Sequence, residues 1–314
     1  MAHFEECGYV IINGLLDPDS DIQPVVDEYA AVVDPLAETW LSEGKISSYD
    51  RSRPLADRLL QFMRETDGSC YQHLDISLPL VGDILEDTPM HLGPTVFGLL
   101  KNRRLLDAVE MFVGPEIYSN PVQHMRIKPP EHCMRDGKQD NTLISRTFWH
   151  QDLAVMAEEA DHSNVLSVWF PVMDVDEQDG CLLVVPGSHK GGLAHHCRTA
   201  RLNGIPEALV GDNRVPLPMK RGDVLFLNKL TMHASLPNVG DHLRWSFDVR
   251  YNPIGQPTGR PWFPGFVARS RAHPERESID HEVWAESWRK ARATLAKSER
   301  PKFNRWDPND PSCA

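Results

Sequence analysis

The spacing of apolar residues divides the chain into a helical first third, a strand-rich middle and a mixed tail. "YVIINGLL" (9–16) is an apolar run of strand length, and Asp17-Pro18 then offers an N-cap and a first-turn proline for a helix. Over "GPTVFGLLKNRRLLDAVEMFVGPEI" (93–117) apolar residues recur at helical spacing, and the pattern closes at Gly114-Pro115. From about residue 116 the period changes. "VLSVWFPVMDV" (165–175), "CLLVVPGSH" (181–189), "GDVLFLNKLTMHASL" (222–236) and "RWSFDVRYN" (244–252) read as strands separated by turns. In the last of these Arg244, Ser246, Asp248 and Arg250 share one face, and Trp245, Phe247, Val249 and Tyr251 share the other. Short strands without intervening helices predict an antiparallel barrel or jelly roll. "NPIGQPTGRPWFPGFVARSR" (252–271) reads as a loop punctuated by Pro and Gly. "DHEVWAESWRKARATLAKS" (280–298) reads as a helix, with Trp284 and Trp288 on an apolar face that packs on the core or on a second copy of the chain. The expected organisation is one domain over 1–314: a helical N-terminal cover (1–115), a jelly-roll core (116–253), and a C-terminal loop and helix (254–314).

Composition narrows the class. The chain has 314 residues, 41% hydrophobic and 25% charged, which is ample to bury a core. A formal charge of −12 argues against nucleic acid or anionic lipid as partner, since either needs a basic footprint. No stretch approaches the roughly 20 apolar residues that span a bilayer, and "MAHFEECGYVIING" lacks the pattern of a secretory signal. Six cysteines lie scattered without a C-x-x-C pair, so they read as reduced thiols and the expected compartment is the cytoplasm. The expected partner is a small-molecule substrate, with no nucleic acid and no membrane; a homodimer is an option through the Trp284/Trp288 face.

Candidate chemistry centres on His150 and Asp152 in "RTFWHQDLAV". Alone the tripeptide is weak, because the chain has fourteen histidines and a second His-x-Asp occurs at His73 and Asp75. Two histidines and one carboxylate hold non-haem Fe(II) with three positions open on one side. Residues i and i+2 of a strand project to one face, so His150 and Asp152 can offer two ligands together. A third must come from a distant strand, and His233 in "LTMHASL" lies 83 residues on, at a strand end. A 2-oxoglutarate cosubstrate would need a cation for its far carboxylate, and a guanidinium suits it best. Arg244 lies eleven residues after His233, with Ser246 beside it on the same face. His73 and Asp75 fail this test: His162 has comparable spacing, but Met173 stands eleven residues later. They read as a surface or packing pair.

Other clusters carry less. His195, His196 and Cys197 are adjacent, so their side chains diverge on a strand and no fourth zinc ligand is evident. His189 in "PGSHK" reads as a turn residue. Arg260, Arg269 and Arg271, with Arg250 nearby, form a basic cluster. Surface ion pairs are its favoured reading, with Arg250 kept as a substrate-binding candidate.

The blocks "VQHMRIKPP", "TFWHQD", "SVWFPVMDVDEQDGCLLVVPGSHKGGL", "RGDVLFLNKLTMHASLPN" and "LRWSFDVRYNP" follow in order over about 115–253, with a looser stretch at "FEECGYVIINGLL". In these the chain resembles the phytanoyl-CoA dioxygenase family of Fe(II)/2-oxoglutarate oxygenases. The resemblance implies a mainly β fold with helical additions, a double-stranded β-helix (jelly-roll, cupin-like) core covered by N-terminal and C-terminal helices. It also implies that His150, Asp152 and His233 bind Fe(2+) and that Arg244 binds 2-oxoglutarate, with O2 as oxidant. Trp169, Ser235 and the segment at Gln123-His124 are placed by it against the cosubstrate, and Gln151, between two ligands, against the prime substrate. Halogenating relatives replace the carboxylate ligand with a small residue, so the presence of Asp152 disfavours halogenation. The activity implied is oxidation, most often hydroxylation, of a C–H bond with release of succinate and CO2. Two alternatives belong to other classes: a non-catalytic small-molecule-binding or sensing jelly-roll protein, and a cupin-type metal-dependent isomerase or hydrolase. The intact ligand set and Arg244 count against the first, and the second has no need of Arg244-x-Ser246.

Overall fold

The structure, a computed structural model, describes residues 1–80, 82–134, 146–198, 203–299, 301–307 and 313. The chain opens with α1 (Ala2–Cys7) and β1 (Tyr9–Ile12), followed by α2 (Gln23–Ser42), α3 (Leu55–Glu65), α4 (Pro94–Leu100) and α5 (Arg103–Val113). The long β2 (Glu116–Lys128) comes next, then β3 (Leu166–Pro171), β4 (Leu182–Val184), β5 (Cys197–Arg198), β6 (Asn203–Gly204) and β7 (Val215–Leu217). β8 (Val224–Asn228), β9 (His233–Ser235), β10 (Arg244–Pro253), β11 (Phe266–Ser270) and α6 (His281–Leu295) complete it.

Two sheets form the jelly roll. The larger has the order β1-β8-β3-β10-β2-β11, and the smaller β7-β4-β9. Alternation along β10 decides which face meets which layer. Trp245, Phe247, Val249 and Tyr251 join Val168, Phe170, Phe226, Met125 and Ile127 against the helices, in one core with Tyr29, Leu59 and Trp288. The opposite face of the large sheet looks into the barrel, where Trp169, Leu225 and Leu227 meet Leu182, Val184 and Leu217 of the small sheet. The polar stripe of β10 therefore points inward, and Arg244, Ser246 and Arg250 are all buried.

Four local features depart from the expectations. The helix over 93–117 is two helices, because Asn102 caps the second through a bond from the Leu105 amide to its Oδ1 at 3.1 Å. The strand over 222–236 is likewise two. A turn in which the Thr231 amide bonds the Asn228 carbonyl at 2.9 Å carries the chain from the large sheet to the small one. The segment 252–271, expected as loop, contains β11, which pairs with β2. Its proline and glycine content hides it; Gly265 is there because a Cβ would stand 2.3 Å from the Tyr118 ring. The fourth departure concerns the thiols. Cys197 and Cys313 form a disulfide across 116 residues, against the expectation that all six cysteines are reduced; Cys7, Cys70, Cys133 and Cys181 are free.

Trp284 and Trp288 are buried in the helical core, against Phe97 and Phe263 respectively. The tail beyond α6 returns to the barrel. The Arg305 amide bonds the Ala154 carbonyl at 2.9 Å, its guanidinium donates to the carbonyls of Met156 and Ala157, and Phe303 packs on Arg260. No helix among the described residues is long and apolar enough to cross a membrane.

Candidate active site

His150 and His233 are brought together by backbone pairing. The amide of each donates to the carbonyl of the other at 2.9 Å, joining the segment before Asp152 to β9. Gln151 is extended and Asp152 opens a short helical turn, so His150 and Asp152 project to one side. Donor atoms of His150, Asp152 and His233 all lie within 4.8 Å of one another, and all three side chains are buried. Asp152 Oδ1 is 3.8 Å from His150 Nε2 and 3.9 Å from His233 Nε2.

The ring tautomers favour a metal. His150 Nδ1 is 2.9 Å from the Phe148 carbonyl and His233 Nδ1 is 3.0 Å from the Thr231 carbonyl. A carbonyl can only accept, so each Nδ1 carries its proton and each Nε2 keeps a lone pair toward the shared space. Burial, reinforced by His233, depresses the His150 imidazole to about 3, which keeps it neutral and ready to ligate. Burial works against the charge on Asp152, but the Arg250 guanidinium outweighs it and holds the carboxylate ionised. Two imidazole nitrogens and one carboxylate oxygen fit a ferrous ion.

Beside the triad lies a cavity lined by His150, His233, Trp169, Arg126, Asp248 and Arg244. Arg244 is fully buried. Its Nη1 donates to the Gly180 carbonyl at 2.6 Å, while Nε and Nη2 have no hydrogen-bond partner among the described residues. Burial, then the charge of Arg126, lowers its guanidinium to about 9. A buried guanidinium with free donors facing a cavity is built for an anion. The Trp169 ring lies 5.6 Å from the Arg244 guanidinium carbon. Ser246, between Arg244 and Asp248 on that face, is buried with a partnerless hydroxyl. Ser235 is close by, but its hydroxyl takes the Thr147 amide at 2.8 Å and a contact from the Lys128 ammonium.

Three candidates are placed elsewhere. Gln123 faces the helical layer and donates to the Ile76 carbonyl at 2.9 Å, so it does not meet the cavity. Gln151 is fully buried. Its Nε2 donates to the carbonyls of Gly192 and Leu230, and its Oε1 accepts from the Ala194 amide, each at 2.7 Å. Both polar atoms of its amide are bonded to backbone. Arg250 is buried against Asp152, 2.5 Å from Oδ1, and is a neighbour of the candidate ligand rather than a surface for substrate.

The remaining clusters resolve as structure. Asp75 is fully buried, not on the surface; it accepts from the Met125 amide at 3.0 Å and holds His124 Nδ1 at 2.9 Å. His196 uses both ring nitrogens, on the Gln151 amide and the Ala194 carbonyl, and Cys197 is oxidised, so no zinc group forms there. Arg269 and Arg271 pair with Asp107 and Glu110. Arg126, Lys128 and Asp248 were not anticipated. The signal was present: Arg126 and Lys128 share one face of "HMRIK" as Arg244, Ser246 and Asp248 share one face of β10, and in register Lys128 lies opposite Arg244 and Arg126 opposite Ser246.

Comparison with known proteins accords with this geometry. Residues 4–246 match the family model for phytanoyl-CoA dioxygenase (PhyH). The peroxisomal phytanoyl-CoA dioxygenase of Homo sapiens is 27% identical over 246 residues, covering 75% of this chain and 62% of that protein. The Bos taurus protein of the same name is 26% identical, over 79% of this chain and 66% of its own length. This chain thus spans under two thirds of the curated relatives it matches. Among solved structures, the non-heme monooxygenase ThoJ in its apo form superposes with a TM-score of 0.56 at 17% identity, covering 94% of this chain and 97% of that one. EctD from S. alaskensis, also apo, gives 0.52 at 19% identity, over 88% and 85% of the two chains. At such identities these structures speak for the fold. With three quarters of its length matched by the family model, the chain belongs to the phytanoyl-CoA dioxygenase family.

Proposed function

We propose that the protein is an Fe(II)/2-oxoglutarate-dependent dioxygenase that oxidises, most often by hydroxylation, a C–H bond of a small molecule. The observation that carries this is a pairing. Three converging donor atoms, with both histidine Nδ1 protons fixed on backbone carbonyls, stand at one side of a cavity. The same cavity is lined by a buried guanidinium with two donors unpartnered among the described residues.

In this reading His150, Asp152 and His233 hold the iron, and Arg244 takes the far carboxylate of 2-oxoglutarate through Nε and Nη2. Trp169 and Ser246 flank that carboxylate. Ferrous iron with 2-oxoglutarate supplies the activation of O2, with succinate and CO2 as coproducts. The protein's own part is to position and enclose. The helical layer covers one face of the large sheet and the small sheet lies over the other, beside the cavity. No general acid or base is required of the chain. The cytoplasm is the proposed compartment on the four free thiols; the Cys197–Cys313 bridge weighs against it, and a thiol count in cell extract decides.

The test is succinate formation, with O2 uptake, across a library of small-molecule substrates under Fe(II) and 2-oxoglutarate. Turnover should depend on both and vanish in Asp152→Ala while the melting curve stays cooperative. Undiminished turnover in that variant, or turnover without 2-oxoglutarate, would overturn the assignment.

A further inference from the structure

Asp152 Oδ1 faces both histidines, and the same oxygen accepts from Arg250 Nη2 at 2.5 Å, with each side chain 2% exposed. Arg250 is itself held from two more directions. Its Nη1 donates to the Val122 carbonyl at 2.9 Å and lies 3.1 Å from Asp248 Oδ1. The other Asp248 oxygen accepts from Arg126, at 2.9 Å from Nε and 2.6 Å from Nη2. Charges therefore alternate along one buried line, Asp152, Arg250, Asp248, Arg126, and the last two side chains line the cavity.

Local backbone makes the line fit. β2 and β10 pair in register from Lys128↔Arg244 to His124↔Asp248, then slip, so that Arg250 lies opposite Asn120. The extra residues of β2 in this bulge include Val122, whose carbonyl turns to meet the guanidinium. A buried ion pair is poor evidence for stability, because desolvation cancels much of the attraction. Its value here is orientation. The terminal torsion of an aspartate is broad, and a carboxylate bound through one oxygen to a metal can swing. A guanidinium fixed at three points removes that freedom. A carboxylate oxygen has two acceptor directions, so Oδ1 can take Arg250 and still present a lone pair between the imidazoles. Arg250 also brings a positive charge near a metal cation, and Asp248, shared between Arg250 and Arg126, offsets part of it.

We propose that Arg250, anchored by Asp248 and the Val122 carbonyl, is a positioning residue that fixes the Asp152 carboxylate for the metal. This rests on the reading of Asp152 as a ligand. Hydrogen-bonded partners of metal ligands typically contribute about 10–100-fold in affinity, which sets the scale expected.

The experiment is a Co(II) titration of the metal-free protein, reading dissociation constant and visible d–d band. It compares the unaltered chain with Arg250→Met, Arg250→Lys, Asp152→Ala and the double variant Asp152→Ala/Arg250→Met; metal-free melting curves report folding. Arg250→Met should weaken binding about 10–100-fold with an altered band, and Arg250→Lys should recover part of both. In the Asp152→Ala background Arg250→Met should add nothing, since the residue acts through that carboxylate. Should Arg250→Met not fold, Asp248→Asn takes its place, and the unbalanced guanidinium should again weaken binding. Affinity unchanged or raised in the variant read, or an equal loss with and without Asp152, overturns the positioning role. Unchanged Co(II) binding in Asp152→Ala overturns the ligand assignment itself.

Discussion

Lys128 and Arg244 stand directly opposite one another on β2 and β10, both buried. Like charges in that relation are unfavourable. Burial, then Arg244 and Arg126, pushes the Lys128 ammonium well below its ordinary value. Lys128 is satisfied by Thr147 Oγ1 at 2.9 Å and by the Ser235 hydroxyl. Arg244 keeps two idle donors. A dianion entering the cavity would offset the charge of Arg244, which lines it.

Arg244→Ala should therefore raise the KM for 2-oxoglutarate. Charge-assisted bonds are worth about 1.5–3 kcal/mol each, so losing two of them should raise it roughly 100–10,000-fold. Adding 2-oxoglutarate to the metal-loaded protein should raise its melting temperature, and the variant should lose that rise. An unchanged KM would move the carboxylate site elsewhere.

Gln151 should behave as a structural clamp. Gln151→Ala strands two carbonyls and one amide that are now bonded. At about 1 kcal/mol per bond, denaturant unfolding of the metal-free protein should show a loss of about 3 kcal/mol. The 2-oxoglutarate KM should hardly move. Stability within about 0.5 kcal/mol of the parent, the range of ordinary surface changes, would return Gln151 to the substrate candidates.

Acid should loosen the same region. Burial depresses His196 to about 4, so the folded chain keeps it neutral while the unfolded chain takes up a proton near pH 6.5. The unfolded state then binds more protons in that window, and stability falls as pH drops from about 6.5 toward 4. Melting temperatures across that range should decline, and His196→Gln should flatten the decline. Identical slopes for the two proteins would rule His196 out.

Cys313→Ser tests the link across the tail. Removing a disulfide commonly costs about 2–4 kcal/mol, visible as a lower melting temperature. Alkylation of the denatured, unreduced protein should label four of the six cysteines. Six labelled thiols would show that the bridge does not form.

Most of the barrel was legible because period-two alternation survives in β3 and β10 whichever face is polar. Which face looks inward was not legible. A stripe of Arg244, Ser246, Asp248 and Arg250 would suit solvent equally well, and only the helices packed on Trp245 and Phe247 turn it toward the cavity. His233 and Arg244 suit a spacing argument because each opens a strand, whereas His150 and Asp152 lie outside the strands and are carried in by the pairing of His150 with His233. The bonds that hold Gln123, Gln151 and Arg250 have a common character. Their partners are the Ile76, Gly192 and Leu230 carbonyls, the Ala194 amide, and a carboxylate 98 positions away. Such bonds are invisible to local pattern. β11 was missed because glycine and proline marked as loop a strand that closes against Tyr118.

The returning tail has a practical side. Arg305 is laced to Ala154, Met156 and Ala157, a few positions beyond Asp152. Truncation before Arg305 would strip those donors from the stretch that follows the carboxylate. A chain shortened in that way should hold cobalt less tightly than the full-length polypeptide.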